Sequence, residues 1–399
     1  MKKIILALSS VIILSFLFIS CSDDSSSTSP DNTPKFRITE DNLYTYLDSK
    51  AWSPHKNTNY TYDELGRIVE KEFIDNSDFE ESYTDSFFYN LSSKYPYEIR
   101  RYKDVGKLST LSNILSFTYT NGKPTEIIES VRNTDTGVMT KRYKTNYTYE
   151  NNLIVNESSY RYNTDTETWE LYSDYDLNYI DGKITSTSVI IAGGSGVETF
   201  TYSGDKLTEL NIDYTIWTFH IKYRYLLFYE NGNVASAEIQ DYVDGDGIWV
   251  KEEKMDYKFV NDKLSEEFYY QWYDIKDWNA YYKNSYTYDT NELITLIENF
   301  SWNGTDSTYV LSVDDSKQEY IYEVGTGNYI ELDMCLNPLF YYTGGHTNIF
   351  NPEPQPIKSS KIFSDESIPA ILKNAVNKKL DAALRKEVIK ESPKSWRRR

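Results

Sequence analysis

The chain has 399 residues, a formal charge of −19 and only two cysteines. Such an acid excess excludes a nucleic-acid footprint, which must be basic, and keeps an aromatic-rich surface soluble. Aromatics are abundant (38 Tyr, 17 Phe and 8 Trp), and the first element in chain order is a targeting segment. Lys2 and Lys3 precede a mostly apolar run from Ile4 to Ile19, the layout of a signal peptide rather than of a membrane span, which needs about 20 apolar residues.

Phe18-Ile19-Ser20-Cys21 closes that run and resembles the lipobox of bacterial lipoprotein precursors. The resemblance implies cleavage before Cys21 and acylation of its thiol (diacylglycerol and an N-acyl chain such as palmitate), hence attachment to a membrane. The alternative is an ordinary secretory signal cut elsewhere, or an uncleaved anchor. Ser22-Asp23-Asp24-Ser25-Ser26-Ser27 resembles the acidic export signal of Bacteroidetes-type surface lipoproteins, which implies an outer-membrane protein on the cell surface. Residues 1–20 are thus expected to be the signal peptide and residues 21–40 a flexible acidic tether, too polar to fold. Once Cys21 is acylated, Cys335 has no cysteine left to pair with, so packing and hydrogen bonds must hold the body together.

From 41 to 345 one phrase recurs: aromatic, any residue, aromatic, a short turn, a basic or polar residue, an aliphatic. It reads Tyr60-Thr61-Tyr62-Asp63-Glu64-Leu65-Gly66-Arg67-Ile68 in the first copy. The second aromatics from Tyr119 through Tyr149, Tyr179, Tyr202, Tyr229, Phe259 and Tyr288 are spaced 30, 30, 23, 27, 30 and 29 residues apart. The first copy resembles the tyrosine-aspartate (YD, or Rhs-type) repeat in Tyr60, Tyr62, Asp63, Gly66 and Arg67; later copies lose the Asp and shorten the turn. Similar degenerate arrays occur in surface lipoproteins without an assigned activity.

Each period of roughly 30 residues reads as two antiparallel strands. In Val138–Tyr149 the residues Met139, Tyr143, Tyr147 and Tyr149 share one parity, while Asn121-Gly122, Asp181-Gly182 and Asn231-Gly232 supply the positive φ that two-residue hairpins require. The expected fold is therefore all-β, an open, twisted antiparallel meander. As an open solenoid it would tolerate loss of one whole unit such as Ile180–Tyr202. Residues 346–366 form a Pro-rich linker. Residues 367–399 read as an amphipathic helix with a basic tail, ten Lys and Arg against three acids, free in solvent or docked on the acidic array or on anionic lipid.

Trp52, Trp169, Trp249 and Trp278 each stand ten residues before the second aromatic of their repeat. Because ten is even, an unbroken strand puts them on the tyrosine face, as a core ladder. Trp169, Trp249 and Trp278 are alternatively a ligand platform on which sugar rings stack.

No catalytic apparatus is visible. Gly193-Gly194-Ser195-Gly196 lies between strands and reads as a hairpin loop, not a phosphate loop. Asp244-Gly245-Asp246-Gly247 fails as a calcium loop because Trp249 and Met255 replace the turn glycine and closing acid. His55, His220 and His346 are far apart, so neither a metal site nor a cofactor is expected. These features lead to the expectation of a non-enzymatic binding or adhesion module, with a glycan or an envelope protein as partner. A structural envelope component is the alternative, and a carbohydrate-active enzyme ranks third.

Overall fold

The computed structural model describes residues 36–324, apart from 77–81, 92, 94, 106–107, 152, 192, 217–218, 244–246, 262, 274–276 and 314. Cys21 with its flanking signal and tether, the linker at 346–366, the basic segment at 367–399 and most of the Asp244–Gly247 tip lie outside the described residues. Every element is a strand. The first seven are β1 (Phe36–Tyr46), β2 (Trp52–Tyr62), β3 (Ile68–Asp75), β4 (Tyr83–Tyr89), β5 (Pro96–Val105), β6 (Leu108–Thr120) and β7 (Lys123–Arg132). Next come β8 (Met139–Glu150), β9 (Leu153–Asn163), β10 (Thr168–Ile180), β11 (Lys183–Ile191), β12 (Gly194–Ser203), β13 (Lys206–Ile216) and β14 (Phe219–Glu230). The last are β15 (Asn233–Val243), β16 (Ile248–Val260), β17 (Lys263–Tyr273), β18 (Asp277–Tyr288), β19 (Ile294–Asn303), β20 (Thr308–Val310) and β21 (Ser316–Val324).

Successive strands pair antiparallel, as the hairpin period requires, but the sheet is not an open meander. β1 pairs with β2 and also with β21, from Phe36 opposite Val324 to Thr45 opposite Ser316. The result is a closed antiparallel barrel of 20 strands, with β20 a short flap on β19. Closure removes both exposed edges, each of which would otherwise present a row of unpaired N–H and C=O groups. Side chains seal the seam. Arg37 is ion-paired with Glu323 at 2.6 Å, and the Gln318 amide donates to both Asp41 oxygens at 2.8 Å. The open-solenoid expectation, with its tolerance for losing Ile180–Tyr202, goes with the open sheet. The strands also begin earlier than expected, since β1 starts inside the segment read as tether.

The recurring phrase has a physical reading at one end of this ring. After each turn the register slips by one residue, as between Thr61 and Tyr62 opposite Ile68, or Thr148 and Tyr149 opposite Ile154. Such a bulge frees a backbone carbonyl. The second tyrosine of the next repeat takes it: Tyr62, Tyr89, Tyr149, Tyr229 and Tyr288 donate to the carbonyls of Ile38, Ile68, Pro124, Leu207 and Leu264 at 2.8–2.9 Å. Each such bond contributes about 1 kcal/mol net. The basic residue before the aliphatic caps that same ring, with Arg67 4.5 Å from the Tyr89 centroid and Lys123 5.0 Å from that of Tyr149. In the first copy, Asp63 accepts from the Leu65 and Arg67 amides and from Arg67 Nε, which fixes the five-residue turn. The two-residue turns hold positive φ at Asn121, Asp181 and Asn231, each followed by glycine. Gly194 and Gly196 are an exception to the loop reading. They lie in β12, where a Cβ would run into the backbone of β13 and the Tyr214 ring.

The inward face is apolar and the outward face polar. Along β13, Leu210, Ile212, Tyr214 and Ile216 are buried while Glu209, Asn211, Asp213 and Thr215 alternate outside. A round ring of about 16–18 strands already encloses a water channel, yet Tyr175, Tyr225, Leu115 and Ile127 are 0% exposed. Opposed arcs of the wall must therefore cover one another. One core cluster is built on β10–β16, the other on strands flanking the seam, and Tyr257 packs against both.

Acids sit among these tyrosines. Glu267 is buried and accepts hydrogen bonds from Asn284 at 3.2 Å and Tyr286 at 2.9 Å. Burial disfavours its anion and raises its pKa above the ordinary 4.5, against the hydrogen bonds that lower it. The fold thus binds this proton more tightly than the unfolded chain does. The group's stabilising contribution is complete below 4.5 and is lost as pH rises through the higher folded value. Glu267→Gln is expected to raise the melting temperature at pH 8 and to leave it nearly unchanged at pH 4. Equal shifts at both pH values would show that the carboxyl titrates normally.

Candidate functional site: an aromatic rim

The opposite end of the ring is built differently. There, hairpins carry aromatic pairs across the two strands, edge to face: Tyr46–Trp52 (5.1 Å, 65°), Tyr162–Trp169 (4.9 Å, 67°) and Tyr242–Trp249 (5.1 Å, 63°). Trp272–Trp278 (5.1 Å, 74°) and Trp302–Tyr309 (4.9 Å, 64°) complete the set. Rings prefer this arrangement because the positive edge of one meets the negative face of the other.

These pairs stand on the outer face, not on the tyrosine face that even spacing suggests. For four of the five pairs the cause is a second bulge, in a strand that carries a tryptophan, whereas Trp302 reaches the outer face by plain alternation. The register skips Tyr172 in β10, Glu252 in β16 and Tyr281 in β18. One extra residue reverses the side from there outward. Ser173 and Tyr175 are buried in the core, whereas Trp169 shares the outer row with Leu171, and Leu171 is 51% exposed. Met139 is displaced in the same way by Arg142 in β8. Thus Trp169, Trp249 and Trp278 form no core ladder. The structure gathers them at one end of the ring, at three places around its circumference.

Each pair lies beside a cation from the strand before it. Lys144 is 5.3 Å from the Trp169 centroid, Arg224 4.5 Å from Trp249, Lys251 5.3 Å from both Trp272 and Trp278, and Lys317 5.4 Å from Trp52. Cations over indole faces are worth about 0.5–1 kcal/mol where exposed. Most of these cations are also near acids: Lys317 is 2.6 Å from Glu319, Lys251 3.7 Å from Glu238 and Arg224 3.7 Å from Glu209. Between β17 and β20 the rim widens into a sheet of rings, with Phe268 5.7 Å from Tyr309 and Lys283 5.2 Å from Phe300. Burial, then the neighbouring Tyr270 hydroxyl, pushes the Tyr309 phenol well above its ordinary pKa, so it remains a neutral donor at physiological pH.

Such a surface offers flat apolar faces, indole and phenol donors, and positive charge at its border. Among the described residues no cluster of three His, Cys, Asp or Glu side chains is placed to hold a metal ion. The sequence pattern found the tryptophans but missed their partners, although the signal was present: each pair is six or seven residues apart around the hairpin connection. The chain enters at Phe36 and leaves at Val324, side by side at the tyrosine-capped end and therefore opposite the rim.

No protein-family description matches this sequence, and no curated protein matches it either. Among solved structures, a porin-like protein from Bacteroides uniformis is 14% identical and aligns over 72% of this chain and 98% of its own, with a TM-score of 0.30. A porin-like protein from Bacteroides vulgatus is 12% identical over 72% and 98% of the two chains, with a TM-score of 0.27. A DUF3836 family protein from Parabacteroides distasonis is 21% identical and aligns over 28% of this chain and 97% of its own, at a TM-score of 0.21. Scores this low establish neither a shared fold nor a family.

Proposed function

We propose that this protein is a lipoprotein of the cell surface, acylated at Cys21 and held at the outer membrane, whose aromatic rim binds a glycan. The observation that carries the reading is the rim itself: among the described residues, five outward aromatic pairs at one end of a closed barrel, four of them beyond bulges that reverse the strand face. Its polarity supports display. Cys21 precedes Phe36 by 15 residues, a reach of at most about 50 Å, and Phe36 lies at the end away from the rim. A tether there leaves the rim facing outward. Anchoring rather than spanning fits the outer face, where Asp213 is held by His220 at 2.7 Å and Lys222 at 2.9 Å; a membrane barrel turns an apolar band about 25 Å tall to the lipid.

A glycan array with the purified mature protein tests this, followed by titration of the best ligand against a Trp169→Ala/Trp249→Ala/Trp278→Ala variant. The expected result is binding that falls at least tenfold in the variant with an unchanged circular dichroism spectrum, because the three rings lie outside the core. Absence of any glycan binding, or undiminished binding by the variant, would overturn the reading.

A further inference from the structure

One rim position differs from the others in its charge. At Tyr162–Trp169 the cations are Lys144, 4.7 Å from the Tyr160 centroid and 5.3 Å from Trp169, and Lys141, 5.8 Å from Tyr162. Neither lysine has an acid partner among the described residues, whereas Lys317, Lys222 and Lys283 at other positions sit 2.6–2.9 Å from carboxylates. Of the outer-face acids around them, Glu126 is diagonal to Lys144 in the register but makes no ion pair with it, and Asp174, two strands away, is occupied by Asn156 at 3.0 Å and Ser158 at 2.6 Å. Arg142, which acts on the Glu129 carboxylate, and Arg161, which shares the inner face with Tyr143, stand apart from these two lysines. In a chain of net −19, this concentration of unpaired positive charge is local.

The rings beside it are equipped for a flat, hydroxylated ligand. The Tyr160 and Tyr162 hydroxyls and the Trp169 indole N–H make no hydrogen bond among the described residues, and Leu171 extends the apolar surface at 51% exposure. A polymer that alternates apolar ring faces with carboxylates would meet both features. We propose that the β8–β10 sector of the rim is a subsite for an acidic polysaccharide, with sugar rings against Tyr160, Tyr162 and Trp169 and carboxylates at Lys141 and Lys144. An anionic membrane is the weaker occupant, since Phe36, the side on which a tether attaches, lies at the other end of the ring. This inference rests on the rim being the ligand face.

The test uses the full mature protein against polygalacturonate, alginate and hyaluronate, with methyl-esterified polygalacturonate, polyglutamate and anionic phospholipid vesicles as comparisons. Binding to at least one uronate polymer is expected, weakened tenfold or more by raising salt from about 0.05 to 0.5 M, by Lys141→Glu/Lys144→Glu, and separately by Trp169→Ala. Esterification of polygalacturonate should abolish whatever binding that polymer shows. Failure of all three polymers, equal binding of the esterified form, or equal binding of polyglutamate or vesicles would overturn the subsite. Neutral glycans that still bind and still depend on Trp249 or Trp278 would leave the general reading standing, whereas loss of all glycan binding would remove both.

Discussion

Deleting β1, residues 36–46, is expected to abolish the cooperative thermal transition of the entire domain. β1 is held on both sides, by β2 through seven register pairs and by β21 through nine. It contributes Ile38, 1% exposed, to the core, and the Ile38 carbonyl receives the Tyr62 hydroxyl at 2.8 Å. Without it, β2 and β21 become edges with unpaired backbone groups and the core beneath the seam opens to water. An open array would merely end one strand sooner, because its units lean only on their neighbours. Far-ultraviolet circular dichroism melts with size-exclusion chromatography distinguish the two. A monomer that still melts sharply, within a few degrees of the parent, would mean that closure carries no stability.

Arg101→Met is expected to destabilise the fold by about 3–5 kcal/mol, because it leaves a buried carboxylate without its cation. Arg101 Nε and Nη2 each donate to Asp85 at 2.8 Å, and the two side chains are 5% and 0% exposed. The guanidinium also lies 3.5 Å from the Tyr83 ring centroid. Burial works against the Arg101 cation, but Asp85 outweighs it and raises the Arg101 pKa, so the guanidinium stays charged. Adding Asp85→Leu to Arg101→Met should recover most of the loss, since an apolar pair of similar volume avoids the desolvation that the ions suffer. Urea denaturation of the parent, both single variants and the double variant measures the coupling. Additive losses in the double variant would show that the ions stabilise the fold through contacts other than each other.

What the sequence made legible was local. Period, strand pairing and turn chemistry all follow from residues within one hairpin, and Asn121, Asp181 and Asn231 adopt the conformations their turns demanded. Closure joins Phe36 to Val324 across the whole repeat region, and no local pattern encodes such a contact. A negative signal existed. Natural edge strands carry charges aimed inward, bulges or prolines that discourage pairing, yet β21 reads Ser316-Lys317-Gln318-Glu319-Tyr320-Ile321-Tyr322 and keeps Tyr320 buried at 4% exposure. The rim was half legible for a related reason. Spacing located Trp169, Trp249 and Trp278, but a single inserted residue such as Tyr172 changes their side without disturbing the alternation on either flank.

The second bulge has a consequence for how such a chain diversifies. Strand bounds leave connections of two to seven residues at the rim end, whereas six of the tyrosine-capped turns have only two. Beyond the bulge, side chains no longer feed the core, so substitutions and insertions there escape the selection that closure imposes on the rest of each strand. Hairpins with this bulge are thus divided along the barrel axis into a constrained half, where tyrosine, cation and carbonyl must coincide in successive hairpins, and a permissive half. Ligand preference can drift in the permissive half one hairpin at a time, each lineage retuning a sector of the rim while inheriting the same ring.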